Sequence, residues 1–123
     1  SEMHIAACDG VNNCVLVYSI DGQLNMKIGE GQLESPYRLL LRENCLIVSD
    51  YRAGCLYKYI LEKDAKPIWA CEKIPSASGL CNDQNGYFYV LSNADKKITL
   101  VSPQGNLSPD FNQCNFFRLC VGQ

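Results

Sequence analysis

Apolar and polar residues follow one another along this chain in short runs, broken by clusters of Asp, Asn, Gly and Lys. The clearest stretch is Cys45 to Tyr59, CLIVSDYRAGCLYKY. Leu46-Ile47-Val48 leads into Ser49-Asp50, Tyr51-Arg52-Ala53-Gly54 turns the chain, and Cys55 to Tyr59 returns. β-Branched and aromatic residues on either side of an Asp…Gly break predict a strand–turn–strand hairpin. Asp50 suits the turn because its carboxylate can accept hydrogen bonds from the backbone amides just ahead of it. No segment carries a helical spacing of apolar residues.

The hairpin occurs three times. Ile5 to Asp9, Gly10-Val11-Asn12-Asn13 and Cys14 to Tyr18 form the first copy, with Asp9, Cys14 and Tyr18 standing 41 residues before Asp50, Cys55 and Tyr59. The third is Tyr87 to Ser92, Asn93-Ala94-Asp95-Lys96 and Lys97 to Val101, at an offset of 42 from the second, with Ser92 in place of Asp. Turn residues then precede a further extended run, Leu24 to Ile28 or Pro67 to Cys71. A loop and a short apolar strand, Arg38 to Leu41 or Gly79 to Cys81, come before the next hairpin. Asn85-Gly86 suits a tight turn, since both residues tolerate positive φ. Four short strands every 41–42 residues predict an all-β chain of β-propeller blades, each of four antiparallel strands.

The order from Ser35-Pro36-Tyr37-Arg38-Leu39 through Leu46-Ile47-Val48-Ser49-Asp50 to Leu56-Tyr57-Lys58-Tyr59 resembles the NHL repeat. The resemblance covers residues 4 to 110 and departs from the family at Arg38, where glycine is usual, and at Ser92. It implies repeats at about 4–36, 37–77 and 78–116 within one NHL-like unit spanning 1–123, and 117–121 as a closing first strand. NHL propellers have roughly six blades, and propellers in general need four to eight to close. They are found in tripartite-motif proteins and in related RNA or protein binders; RING or B-box zinc spacing is not visible here, so ligase activity is not implied. Phe117-Arg118-Leu119-Cys120-Val121 resembles Tyr37-Arg38-Leu39-Leu40-Leu41. Such a strand would complete the three-stranded first blade, in the same chain or in a neighbour. Two chains doing so reciprocally would give a homodimer with six blades and no open sheet edge. The alternatives are a piece of a longer propeller, or an open three-blade form with exposed edges.

At 123 residues the chain is one domain, and 47% hydrophobic residues suffice for a packed core. No apolar run approaches the ~20 residues of a membrane span. Ser1-Glu2-Met3-His4 lacks the features of a signal peptide and reads as an added terminus or the cut edge of a longer protein. Eight cysteines, Cys8, Cys14, Cys45, Cys55, Cys71, Cys81, Cys114 and Cys120, show no C-x-x-C pair for metal. Most sit in apolar runs, as buried reduced thiols do, which favours a reducing, cytoplasmic setting. Disulfides are the alternative, with Cys8 and Cys14 across one turn as the first pair to suspect.

In a blade of this kind the turn of the hairpin shares a face with the loop that leads into the first strand. That face gathers Tyr37, Arg38, Tyr51, Arg52, Asn12, Asn13 and Asn93, together with Ser76 and Ser78. Loops on a rigid scaffold carry binding residues, and Tyr and Arg are enriched among interface hot spots. The expectation is a non-catalytic scaffold binding protein or peptide here, without cofactor or metal. Single-stranded RNA is the alternative: Arg38, Arg52, Lys96 and Lys97 for phosphates, Tyr37 and Tyr51 for base stacking. Glu34, Asp50 and Asp95 among the same loops and the net charge of −2 weigh against RNA. An enzyme is disfavoured because His4, the only histidine, stands at the chain's start. Asp9 and Asp50 recur with the repeat, as turn residues do, and Trp69 reads as packing rather than as a stacking platform.

Overall fold

A computed structural model describes residues 3–108 of the chain. Among the described residues the protein is all-β, with no helix and with eleven strands in three antiparallel sheets. The first sheet has three strands, β1 (His4–Asp9), β2 (Cys14–Ser19) and β3 (Leu24–Ile28). The second runs β4 (Pro36–Arg42), β5 (Cys45–Asp50), β6 (Cys55–Ile60) and β7 (Pro67–Cys71) in spatial order. The third runs β8 (Ala77–Asn82), β9 (Phe88–Ser92), β10 (Lys97–Val101) and β11 (Leu107–Ser108). The expected closing strand 117–121, the end of the third repeat, and Cys114 and Cys120 lie outside the described residues.

The repeat is exact in register at the hairpins. Asp9 pairs with Cys14, Asp50 with Cys55 and Ser92 with Lys97. Each turn ends on a left-handed residue: Asn13 at φ 54°, Gly54 at 68° and Lys96 at 55°. The turn at Asn85-Gly86 differs from expectation, because only Gly86 has positive φ. Asp83 organises it instead, accepting from the amides of Asn85 and Tyr87 through Oδ1 and from the Tyr89 hydroxyl through Oδ2.

Alternation along β5 and β6 divides the core in two. Leu46, Val48, Cys55, Tyr57 and Tyr59 face the first sheet and pack on Val15, Val17 and Ile28. Ile47 and Leu56 face the third sheet and pack on Phe88, Val90 and Val101. The second sheet is therefore buried on both sides, which is why Leu46 to Asp50 reads as one unbroken buried run. Trp69 closes the outer part of the second interface. Its indole N–H donates to the Pro103 carbonyl at 3.2 Å, and its ring lies 6.0 Å from that of Phe88. A Cβ at Gly105 would lie 2.4 Å from the indole, so only glycine fits against that face.

The six described cysteines are free thiols. A Cys8–Cys14 bridge is ruled out by register. Cys8 pairs with Val15 and Asp9 with Cys14, so the two thiols lie on opposite faces of the first sheet. Burial pushes the thiols of Cys8, Cys14, Cys55 and Cys71 up, that of Cys71 to about 11.

Candidate binding site

The loop before β4 and the turn after β5 are joined by one buried carboxylate. Asp50 is fully buried. Its Oδ2 accepts from the Glu34 amide at 2.8 Å, and its Oδ1 from the amides of Ser35 at 2.9 Å and Ala53 at 3.1 Å. The Tyr51 amide donates to the Ser35 carbonyl at 2.9 Å, closing the junction. The Ala53 contact is the local turn contact expected of an aspartate at this place. The two bonds to the preceding loop are new information from the structure, and they fix one loop against the other.

The third repeat makes the same junction with different chemistry. The Asn93 amide donates to the Ser76 carbonyl at 3.0 Å, matching Tyr51 and Ser35. Pro75 occupies the place of Glu34 and has no amide to offer an aspartate. Ser92 answers with a donor, its hydroxyl binding the Pro75 carbonyl. The first repeat has the simplest form, Asp9 accepting from the amides of Val11 and Asn12 and from the Asn12 side chain. Those bonds hold the Asp9 carboxyl below its ordinary range, the Asn12 side chain contributing most.

These junctions present a cluster of side chains. Tyr37 and Tyr51 are exposed and pack ring to ring, 5.6 Å between centroids and tilted by 39°. The Arg38 guanidinium lies 5.6 Å from the Tyr37 ring centre, within cation–π range. Hydrogen bonds from Ser76 and Asn93 to the Tyr51 hydroxyl hold it below the ordinary phenol range, aided by the charge of Lys96. Tyr51 thus ties the face of the second repeat to that of the third. Beside it opens a notch of about 550 Å³ lined by Tyr51, Arg52, Lys73 and Ser76, among others. Its wall is a close approach of two backbones: the Ile74 amide donates to the Gly54 carbonyl at 3.0 Å, and a Cβ on Gly54 would lie 3.3 Å from the Ile74 carbonyl oxygen.

Five of the seven expected site residues fall in or beside this cluster: Tyr37, Arg38, Tyr51, Arg52 and Asn93. Asn12 is engaged with Asp9, and Asn13 serves as the left-handed end of its turn. Ser76 belongs to the cluster, but Ser78 does not. It is buried, donates to the Leu91 carbonyl, and offers its own carbonyl to the Ser49 hydroxyl. Ser35 and Lys73 were not anticipated. Aligning residues 72–76 with 31–35 places Lys73 in the loop before β8, which was the available signal.

Among the described residues no group of three or more His, Cys, Asp and Glu side chains is placed to hold a metal ion. No helix there is long and apolar enough to cross a membrane. No family model matches the chain, and no curated protein sequence matches it. Among solved structures, a protein of unknown function from Bacteroides caccae shares the fold with a TM-score of 0.64 at 16% identity. The match covers 85% of this chain and 43% of that one, so this chain spans less than half the length of that protein. At such identity the likeness speaks for the fold alone.

Proposed function

We propose that the three sheets are consecutive blades of an NHL-type propeller, and that the chain is a non-catalytic scaffold that binds a protein or peptide on its loop face. The common hairpin register of the three repeats and the stacking of sheet on sheet support the blade reading. The observation that carries the binding reading is the exposed Tyr37–Tyr51 pair, flanked by Arg38 and by the Arg52-lined notch. The buried Asp50 junction sets these side chains on a stiff base, so little ordering remains to be done when a partner binds. Single-stranded RNA is the second reading, favoured by Arg38, Arg52, Lys73 and Lys96 around the rings. The mutual packing of the two tyrosines favours peptide, because base stacking needs free ring faces.

The test is selection of peptides from a displayed library against the chain, followed by titration of the selected peptide with Tyr51→Ala and Arg52→Ala. Each variant is expected to weaken binding at least about tenfold, as hot-spot residues do. Peptides that bind both variants as well as wild type would remove this face as the site. Binding of oligouridylate with a steep salt dependence, and of no peptide, would transfer the face to RNA.

A further inference from the structure

The first sheet has one face packed on the second sheet and one face that the described residues leave uncovered. Ile5 pairs with Tyr18, and Ala7 with Leu16, so these four side chains share the outward face, while Ala6 and Val17 point into the core. Ile5 is 49% exposed and Ile20, at the end of the same row, 65%. The composition of this face is not that of a solvated surface. Ile5, Ala7, Cys14, Leu16, Tyr18 and Ile20 stand 41 residues before Leu46, Val48, Cys55, Tyr57, Tyr59 and Leu61. Those six are all buried where the second sheet meets the first. The outward face of the first sheet thus repeats, position for position, a face that this chain already uses to pack sheet on sheet.

The complementary face is on the third sheet. The first sheet meets the second with Val15 and Val17, whose places in the third sheet are taken by Ile98 and Leu100. Leu91, Ile98 and Leu100 alternate with the core residues Val90 and Val101 and are half-buried. We propose that the outward face of the first sheet docks on the outward face of the third sheet of a second copy of this chain, and that the contact occurs twice in a closed pair.

Stoichiometry follows from geometry. The contact joins two different faces, so it either closes into a ring or runs on as an open array. A ring of stacked sheets closes with about four to eight members. This rests on the blade reading above: the described residues of each copy bring three sheets, and two such sets fall in that range.

Ile5→Glu and Ile20→Glu test the contact. Both side chains are exposed in the single chain, so the substitutions leave its fold intact, which unchanged Trp69 fluorescence and circular dichroism would verify. Light scattering behind a sizing column is expected to give twice the chain mass for wild type across a dilution series. The Ile5→Glu/Ile20→Glu double variant is expected to run as a folded single chain, its dissociation constant raised at least about a hundredfold. Lys63→Glu, in the exposed turn after β6 and on neither docking face, leaves the mass unchanged. A wild-type monomer at high concentration overturns the proposal, and so does a dimer indifferent to both Glu substitutions. A mass that climbs with concentration past twice the chain overturns the closed pair.

Discussion

Replacing Asp50 by alanine removes one side chain and strands three backbone amides, those of Glu34, Ser35 and Ala53. Hydrogen bonds to a charged acceptor contribute roughly 1.5–3 kcal/mol each in mutational series. A simple sum overstates the loss, because Glu34 is exposed and water can replace the carboxylate at its amide. Ser35 and Ala53 are half-buried, and the vacated space lies among residues that are fully buried. The expected loss is about 3–4 kcal/mol for Asp50→Ala. Asparagine can keep Oδ1, which accepts from Ser35 and Ala53, but its amide nitrogen would meet the Glu34 N–H donor to donor. The loss for Asp50→Asn is therefore set at about 2 kcal/mol.

Urea unfolding followed by Trp69 fluorescence measures both numbers, since the indole sits at the interface of the second and third sheets. For a domain of this size, 3 kcal/mol corresponds to a fall in Tm of roughly 12 °C. Amide exchange adds a local readout: Glu34, Ser35 and Ala53 are expected to lose protection before the strands on either side do. An Asp50→Ala protein within about 1 kcal/mol of wild type would refute the reasoning. It would mean that the loop before β4 is held by packing alone. Equal losses for Ala and Asn would show that charge, rather than the placing of two oxygens, holds the junction.

Other outcomes follow from single features. Tyr59 is fully buried and its hydroxyl has no hydrogen-bond partner among the described residues, so Tyr59→Phe is expected to stabilise by up to ~1 kcal/mol in urea unfolding; a loss beyond ~1 kcal/mol would show that the hydroxyl is satisfied after all. Gly54→Ala places a Cβ 3.3 Å from the Ile74 carbonyl at φ 68° and is expected to lose about 1–2 kcal/mol, with Gly10→Ala, which meets nothing, as the neutral control. Burial pushes Tyr59 up to about 12 and Tyr57 further still, while Tyr51 lies below the ordinary range. In the folded protein Tyr51 should therefore ionise before Tyr57 and Tyr59 by absorbance at 295 nm. A raised pKa adds stability that is whole below the unfolded value near 10 and is lost as pH climbs through the folded value, so stability should fall between about pH 10 and 12. Flat stability across that window would contradict the burial of Tyr57 and Tyr59.

Period-2 runs and their 41-residue recurrence made the strands legible in the sequence. β5, β6, β9 and β10 fall where the hairpins were expected, because strand residues and turn residues alternate there without ambiguity. The pairing of Cys8 was not legible in the same way. Two cysteines across a turn look close in sequence, but a strand sends neighbouring side chains to opposite faces. Ser78 was misplaced for a related reason. A serine in a loop-like stretch reads as exposed until the register shows it inside β8, donating to Leu91. Lys73 and Ser35 were missed because a notch is made by loops from two repeats, and no single segment signals it.

The departure at Ser92 is best understood with its partner at the other end of the junction. Viewed along one repeat, Ser92 is a weaker turn residue where Asp is expected. Across the junction it is a matched change. Glu34 offers an amide and meets a carboxylate at Asp50, whereas Pro75 offers only a carbonyl and meets a hydroxyl at Ser92. An aspartate at the buried position 92 would bring a carboxylate to the Pro75 carbonyl, two acceptors facing one another. The exchange of both partners together keeps the loop fixed while changing its composition, and it frees the second loop from carrying a buried charge. The backbone pattern, Tyr51 on Ser35 and Asn93 on Ser76, is the same in both. What varies between the repeats is the side chain displayed there, Tyr51 in one and Asn93 in the other, and in this chain the two meet at the Tyr51 hydroxyl. A scaffold that conserves the backbone junction and varies the displayed residue can present a different surface at every repeat without altering the fold beneath it.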